Sequence, residues 1–364
     1  GMDLSFLNNR LSATVDWFER RTIDMVGPSQ AMPGVLGTSV PKENNSTLRT
    51  RGWEISLNWK HALENGLSYN LGISLYDYKS VVTKYFNPTG TLSTWYEGAE
   101  VGDIWGYTVN DLFRSQEDLD SYLSKVDMTH IAANWNTGDL KYEDTNHDGK
   151  VNNGTNTIGN HGDLSVIGND QPHYQYTING GVSYKGFDFS MLWRGVAKKD
   201  MYFYRGSNIY WGFMGGWWES CLTPEHLDYF RDQPGSKYSG LYEGDANINT
   251  DAYWPRPYLN NTEEAKNKNH ANTRYLQNAA YLRLQNVQLG YSFPRSITSK
   301  MHLEKLRIYF SGENLLTFSK LPSGIDPVAP VGFPTGGEFF GTAGSGRLTY
   351  GADRIYSIGL TVTY

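Results

Sequence analysis

The connections between the alternating segments of this chain fall into two classes that strictly take turns. Short ones stand at Asn8-Asn9, Glu64-Asn65-Gly66 and Lys185-Gly186, with a slightly longer one near residues 295–303. Long ones cover roughly 24–48, 86–173, 205–274 and 319–350. A compact soluble domain seldom carries structureless loops much beyond about 12–15 residues. A membrane β-barrel does so readily. Its strands run up and down, all turns at one end stay short, and all loops at the other end are free to lengthen.

The segments between these connections have a period of two, the spacing of a strand with two unlike faces. Leu11, Ala13, Val15 and Trp17 alternate with Ser12, Thr14 and Asp16, and Trp53, Ile55, Leu57 and Trp59 alternate with Glu54, Ser56 and Asn58. The pattern returns at Leu67–Leu75, Tyr174–Val182, Phe187–Trp193, Val287–Phe293, Leu306–Phe310 and Tyr356–Tyr364. With a short stretch at residues 2–7 the total is about nine strands, many longer than the usual 5–6 residues. A soluble antiparallel sheet with one solvated face explains the alternation by itself, but not the turn and loop asymmetry. The expected fold is therefore all-β: an antiparallel transmembrane β-barrel portion of about nine strands with long extracellular loops. In lipid only closure satisfies every backbone group of a sheet. Single-chain bacterial barrels have even strand numbers. Nine strands thus read as a piece of a larger barrel, with two open edges that something must pair.

Composition removes other classes. Aromatic residues make up 14% of the chain and glycines number 39, which suits strands, tight turns and interfacial rings. The net charge of -6 comes without any basic run, so nucleic acid is not expected as a partner. Cys221 is alone, which excludes a disulfide framework. No stretch approaches the ~18 apolar residues of a membrane helix, and no signal peptide is visible. The chain runs straight from Gly1-Met2-Asp3 into a strand and reads as part of a longer protein.

Several stretches resemble the SusC/RagA-like TonB-dependent outer-membrane transporters. They are FLNNRLSATVDWFERRT (Phe6–Thr22), RGWEISLNW (Arg51–Trp59), GDIWGY (Gly102–Tyr107), GDLKYEDTNHDGKV (Gly138–Val151), AAYLRLQNVQLGYSFP (Ala279–Pro294), LRIYFSGENLLTF (Leu306–Phe318) and the terminal strand. The resemblance runs nearly end to end. It implies that residues 1–364 form the C-terminal part of a 22-stranded receptor barrel, without the N-terminal plug and the TonB-contacting segment. It implies residence in the Gram-negative outer membrane with the loops extracellular. It further implies energised import of glycans or peptides, with a SusD-like surface lipoprotein over the loops and the TonB complex as partners. Such barrels commonly end in an aromatic residue that the assembly machinery reads. Tyr364 fits that role, and equally that of an interfacial girdle residue.

The sharpest local motif is Asp144-Thr145-Asn146-His147-Asp148-Gly149-Lys150-Val151-Asn152. It matches the front half of an EF-hand loop, with oxygen ligands from Asp144, Asn146, Asp148, the Lys150 carbonyl and Asn152. The twelfth position is Thr155 where a bidentate Glu is expected, and Asp163 is a nearby substitute. Two readings stand: a Ca²⁺ that braces a long loop, and a metal-free Asx-turn loop. The loop aromatics Trp95, Tyr96, Trp211, Trp217, Trp218 and Trp254 are candidates for contact with solute or partner, against the alternative that they pack the loops into small cores. Arg283, Gln285, Arg307 and Glu313 are candidates for the lumen, as solute contacts or as ion pairs or plug contacts. No HExxH, GxSxG or P-loop spacing appears, so a catalytic site is not expected. The alternative function is a secreted or surface glycan-binding or glycan-cleaving β-protein that uses loop aromatics and carboxylates.

Overall fold

The computed structural model describes residues 1–30, 33, 35, 37, 40–203, 208–212, 222–233, 247–258, 261–328 and 351–364. Its strands are β1 (Met2–Phe6), β2 (Leu11–Gly27), β3 (Glu43–Ala62), β4 (Ser68–Lys84), β5 (Asp103–Tyr107), β6 (Val109–Leu112), β7 (Leu140–Tyr142), β8 (Leu164–Asn169), β9 (His173–Tyr184), β10 (Phe187–Lys198), β11 (Asp200–Tyr202), β12 (Leu276–Asn278), β13 (Tyr281–Ser292), β14 (Lys305–Ser319) and β15 (Ile355–Thr363). Nine of them form one antiparallel sheet in the order β1-β2-β3-β4-β9-β10-β13-β14-β15. No strand is skipped or crossed, as in an up-and-down barrel wall. The described sheet is an open arc whose edges are β1 and β15. The nine segments read from the alternation are these nine strands.

Cross-strand register aligns like with like. One row reads Ala13, Leu57, Ile73, Ile178, Trp193, Leu284, Leu316. Another reads Tyr69, Val182, Phe189, Leu289, Phe310, Ile358. On the opposite face the rows are Thr14, Ser56, Ser74, Thr177, Arg194, Arg283, Thr317 and Asn70, Gly181, Ser190, Gln288, Ser311, Ser357. Because the side-chain period is two, a one-residue slip would put apolar groups on the polar face, and this pins the pairing. A bulge falls at Gln285, between Leu284 and Asn286. It restores the face of Leu282 and Leu284 and leaves Gln285 outside the ladder that Arg283 belongs to.

The sheet is not where the core lies. Leu57, Leu71, Ile73, Phe189, Leu289, Phe310 and Ile358 are all exposed, Ile358 at 83%. No second sheet covers them among the described residues. The main buried cluster instead draws on Ile104, Tyr107, Leu112, Phe113, Leu140, Tyr142, Trp211, Trp254 and Tyr275, all in the long connections. A soluble sandwich would bury the sheet's apolar face between two layers. Here that face is left for hydrocarbon.

The two ends of the sheet differ as the sequence indicates. Lys185 (φ 47) and Gly186 (φ 89) form a two-residue hairpin turn with both φ positive. Leu7, Asn8 and Asn9 turn with φ of 55, 59 and 61. The fourth short connection carries a helical turn at Arg295–Thr298 and a 3₁₀ turn at Ser299–Met301. At the other end β2 continues to Gly27 and β3 begins at Glu43, so the first long loop is shorter than the expected 24–48. The next two long loops hold strands and helices of their own.

Candidate functional site

The long connections after β4 and β10 fold against each other into one lobe above the sheet. Three two-stranded sheets frame it: β5 with β8, β6 with β7, and β11 with β12. A helix at Gln116–Leu123 starts where Ser115 accepts the amide of Asp118, the usual serine cap. Its acidic first turn, Glu117 and Asp118, suits the positive end of the helix dipole. Asp118 also accepts from Lys141 Nζ at 2.6 Å, tying the helix to β7.

The centre of the lobe is polar. Lys266 and Asp139 are both fully buried and lie 2.8 Å apart. Lys266 Nζ also donates to the carbonyl of Asn134 (2.9 Å) and to Glu263 (3.1 Å). It lies over the Tyr258 ring, 4.7 Å from the centroid. Asp139 further accepts from the Tyr258 hydroxyl (2.8 Å), Asn267 Nδ2 (2.9 Å) and the Asn136 amide (2.8 Å). Tyr142 donates to the Lys266 carbonyl at 2.6 Å. Burial, with nearby tyrosines and Asp139 adding to it, holds the Tyr142 hydroxyl far above its ordinary pKa, so it stays a donor. Each polar group named so far has a partner, the condition under which a buried ion pair is tolerated, whereas Glu264 Oε1 on the same helix as Lys266 has none among the described residues. The helix Asn261–Lys268 supplies four of the buried polar residues: Glu264, Lys266, Asn267 and Lys268. The Glu264–Lys268 pair could be read from its i,i+4 spacing. The pairing of Asp139 with a lysine in a different loop could not, since neither residue belongs to a periodic segment.

Around this network lie stacked rings. Phe203 and Tyr210 stack at 4.5 Å, Trp254 and Tyr275 at 5.5 Å, and Trp211 meets Tyr275 edge-on at 5.1 Å. Trp211 Nε1 donates to the Phe203 carbonyl and Trp254 Nε1 to that of Glu225. Both tryptophans are buried and hydrogen-bonded inside the lobe. This corrects their candidacy as contact residues: neither offers a ring face to solute or partner. Trp95 and Tyr96 are half-buried, Trp95 against Tyr85 and Tyr96 against Trp105. Trp217 and Trp218 lie outside the described residues, as does Cys221.

The 144–152 loop closes on itself. Asp144 accepts the amides of Asp148 and Gly149, Asn146 that of Asp148, and Asp148 that of Lys150. These are Asx-turn bonds, and the left-handed φ values of His147 (60) and Gly149 (82) permit the bend. Asp163 is buried and accepts the amides of Thr145 and Asn152, each at 2.8 Å. The donor set is oxygen-rich, as calcium requires. Asp144 and Asp148 also accept these backbone amides, and among the described residues no three acidic, His or Cys side chains gather beside them. The calcium-braced and the metal-free readings of the loop share these same turns. An open depression of about 430 Å³ beside this loop is lined by Leu123, Val126, Met128, Trp135 and Gly149.

Loop carboxylates are mostly tied. Asp111 accepts from Arg114 and Arg274. Asp103 accepts from Asn169, and burial pushes its carboxyl up. On the polar sheet face Arg283 pairs with Asp326 (2.6 Å) and Arg307 with Asp188 (2.5 Å), so both arginines are engaged in ion pairs. Tyr364 follows β15 and is exposed.

No family model matches the chain. It is 23% identical over 348 residues to TonB-dependent receptor P3 of Formosa agariphila, covering 90% of this chain and 30% of that protein. It is 22% identical over 346 residues to TonB-dependent receptor SusC of Bacteroides thetaiotaomicron, covering 91% of this chain and 29% of that protein. The solved structure of the RagAB peptide transporter matches 99% of this chain and 34% of its own, at 19% identity and a TM-score of 0.64. The chain spans about a third of the length of the curated relatives it matches. Its resemblance to the SusC/RagA-like TonB-dependent outer-membrane transporters thus holds in sequence and in fold, and its place is the outer membrane.

Proposed function

We propose that this chain is a barrel segment of a TonB-dependent receptor that imports oligomeric nutrients, glycans or peptides, together with a SusD-like surface lipoprotein. The observation that carries this reading is the inverted packing. The apolar face of the nine-stranded sheet is bare, while the buried core lies in a lobe built from the long loops at one end. A wall with hydrocarbon on one side and polar rows on the other suits a solute path. The ion-paired arginines Arg283 and Arg307 belong to that polar face. A nine-stranded sheet with two unpaired edges cannot stand in lipid, so further strands are needed to pair with β1 and β15. The lobe is the natural seat for the lipoprotein. Trp95, Tyr96, Trp217 and Trp218 are its candidate contacts, with the depression beside Trp135 as a candidate solute site. The chemistry is recognition and passage, with no catalytic step.

The test is growth and uptake. A strain lacking the full-length receptor is expected to lose uptake of one class of labelled oligosaccharide or peptide, and to regain it with the wild-type gene. A tagged receptor is expected to co-purify with a surface lipoprotein. Undiminished uptake of every oligomer tried, with no lipoprotein recovered, would contradict the proposal.

A further inference from the structure

We propose that the outward face of β2, β3 and β4, just beyond the apolar band, binds the phosphorylated headgroup of a membrane lipid. The inference rests on the barrel reading above. Crossing the hydrocarbon takes a tilted strand about 9–11 residues. Counted up β3 from Ala62, that distance ends near Trp53, which pairs with Trp17 on β2. These two rings form the aromatic boundary. The next outward row is Glu19, Arg51, Lys79, and the one after it is Arg21, Arg49, Val81. Four cations, Arg21, Arg49, Arg51 and Lys79, therefore meet the headgroup level.

Their arrangement is unlike an ordinary ion-pair ladder. Arg21 stands directly opposite Arg49, and Arg51 directly opposite Lys79. Like charges in such pairs repel, and an anion seated between them removes the repulsion. Glu19 accepts from Arg21 Nε at 2.8 Å and from Arg51 Nε at 2.7 Å. It thereby holds both guanidinium groups by their inner nitrogen and leaves their terminal amino groups without a protein partner among the described residues. Those terminal groups are the fork that suits phosphate oxygens. Arg21, Arg51 and Lys79 are 68%, 52% and 62% exposed, whereas Glu19 is 20% exposed. Glu100 neutralises Lys79 at 3.0 Å, and Asp77, lower on the same face, is turned to His173 at 2.8 Å. The surplus positive charge thus sits on Arg21, Arg49 and Arg51. Phosphate on a lipid satisfies both requirements of the place, since its charge meets the arginines while its chains lie along the apolar rows below.

The experiment uses the full-length receptor in a nonionic detergent, incubated with lipid A and, separately, with lipid A stripped of phosphate. Bound lipid is counted by native mass spectrometry. Wild type is expected to retain the phosphorylated form. The combined R21Q, R49Q, R51Q variant is expected to bind it on the order of a hundredfold more weakly. R20Q, on the opposite face, is expected to bind as wild type does. R49Q alone keeps the Glu19 fork and provides a milder test if the triple variant fails to fold, which loss of heat-resistant gel mobility would reveal. Equal binding by wild type and the arginine variants would overturn the proposal. So would equal retention of the phosphate-free lipid, or displacement of lipid A by an equal concentration of inorganic phosphate. A sheet whose apolar face is not in lipid would fail differently, by binding neither form of the lipid even in wild type.

Discussion

At the scale of single residues, the outward rows make the sharpest demands. Ile73 stands mid-strand between Leu57 and Ile178. Placing arginine there sets a charge near the membrane midplane, at a cost of about 2–4 kcal/mol, falling to ~0–1 near the interface. Ile73→Arg is expected to lower the denaturant midpoint of the full-length barrel in lipid far more than Ser74→Arg on the facing side. Equal losses would count against the face assignment. Inside the lobe the buried pair behaves otherwise. Lys266→Met leaves Asp139 charged and unpaired, which costs about 3–5 kcal/mol. The double change with Asp139→Leu is expected to recover much of that. Limited proteolysis of the lobe measures both, and equal protease resistance of wild type and Lys266→Met would dismiss the pair as a structural lock. The lipid-facing residues were legible because burial in lipid imposes a period. Asp139 and Lys266 were not, because a polar pair within irregular loops leaves no periodic trace.

Whole elements were legible to unequal degrees. All nine sheet strands could be read, and so could the side on which the turns are tight, since Lys185-Gly186 and Asn8-Asn9 carry the residues that accept positive φ. The lobe's short strands and the helix Asn261–Lys268 could not, for they bury polar side chains and lack an apolar stripe. Among the loop rings, Trp211 and Trp254 look from sequence like any exposed tryptophan, and only tertiary packing places them inside. Two element-scale outcomes follow. Asp163 anchors the 144–152 turn through amides of both of its ends, so Asp163→Ala is expected to speed amide exchange at Thr145 and Asn152. Calcium titration decides between the two readings of this loop: a melting shift abolished by Asp144→Ala would establish a cation site, and no shift in wild type would leave the metal-free Asx-turn loop. The second outcome concerns acid. Burial, with His130 nearby, pulls His270 below its ordinary value of 6.5, and its ring lies 5.8 Å from that of Tyr107. The fold favours the neutral imidazole, while the unfolded chain takes up a proton first as pH falls. The contribution of this residue is thus complete above about pH 6.5 and shrinks below it. The lobe is expected to become more protease-sensitive between about pH 7 and pH 5.5, and His270→Gln to flatten that dependence. Identical profiles would remove His270 as the cause.

For the whole molecule, the described arc explains why so many large apolar side chains are bare while the tightest packing lies in loops. Lipid serves as the missing second layer, and in the proposed reading further strands pair with β1 and β15. Import with a lipoprotein lid is the reading we propose for that architecture. The wall itself is open to direct measurement. Single spin-labelled cysteines, in a Cys221→Ser background, would be placed along three strands of the full-length receptor in lipid: at Leu57, Ile73 and Leu289, and at their neighbours Ser56, Ser74 and Gln288. Collision with oxygen, which concentrates in hydrocarbon, and with a water-soluble nickel complex would then be compared. High oxygen access at the first three and high nickel access at the second three are expected. Equal access at both sets, or protection of the first three from both reagents, would contradict the account.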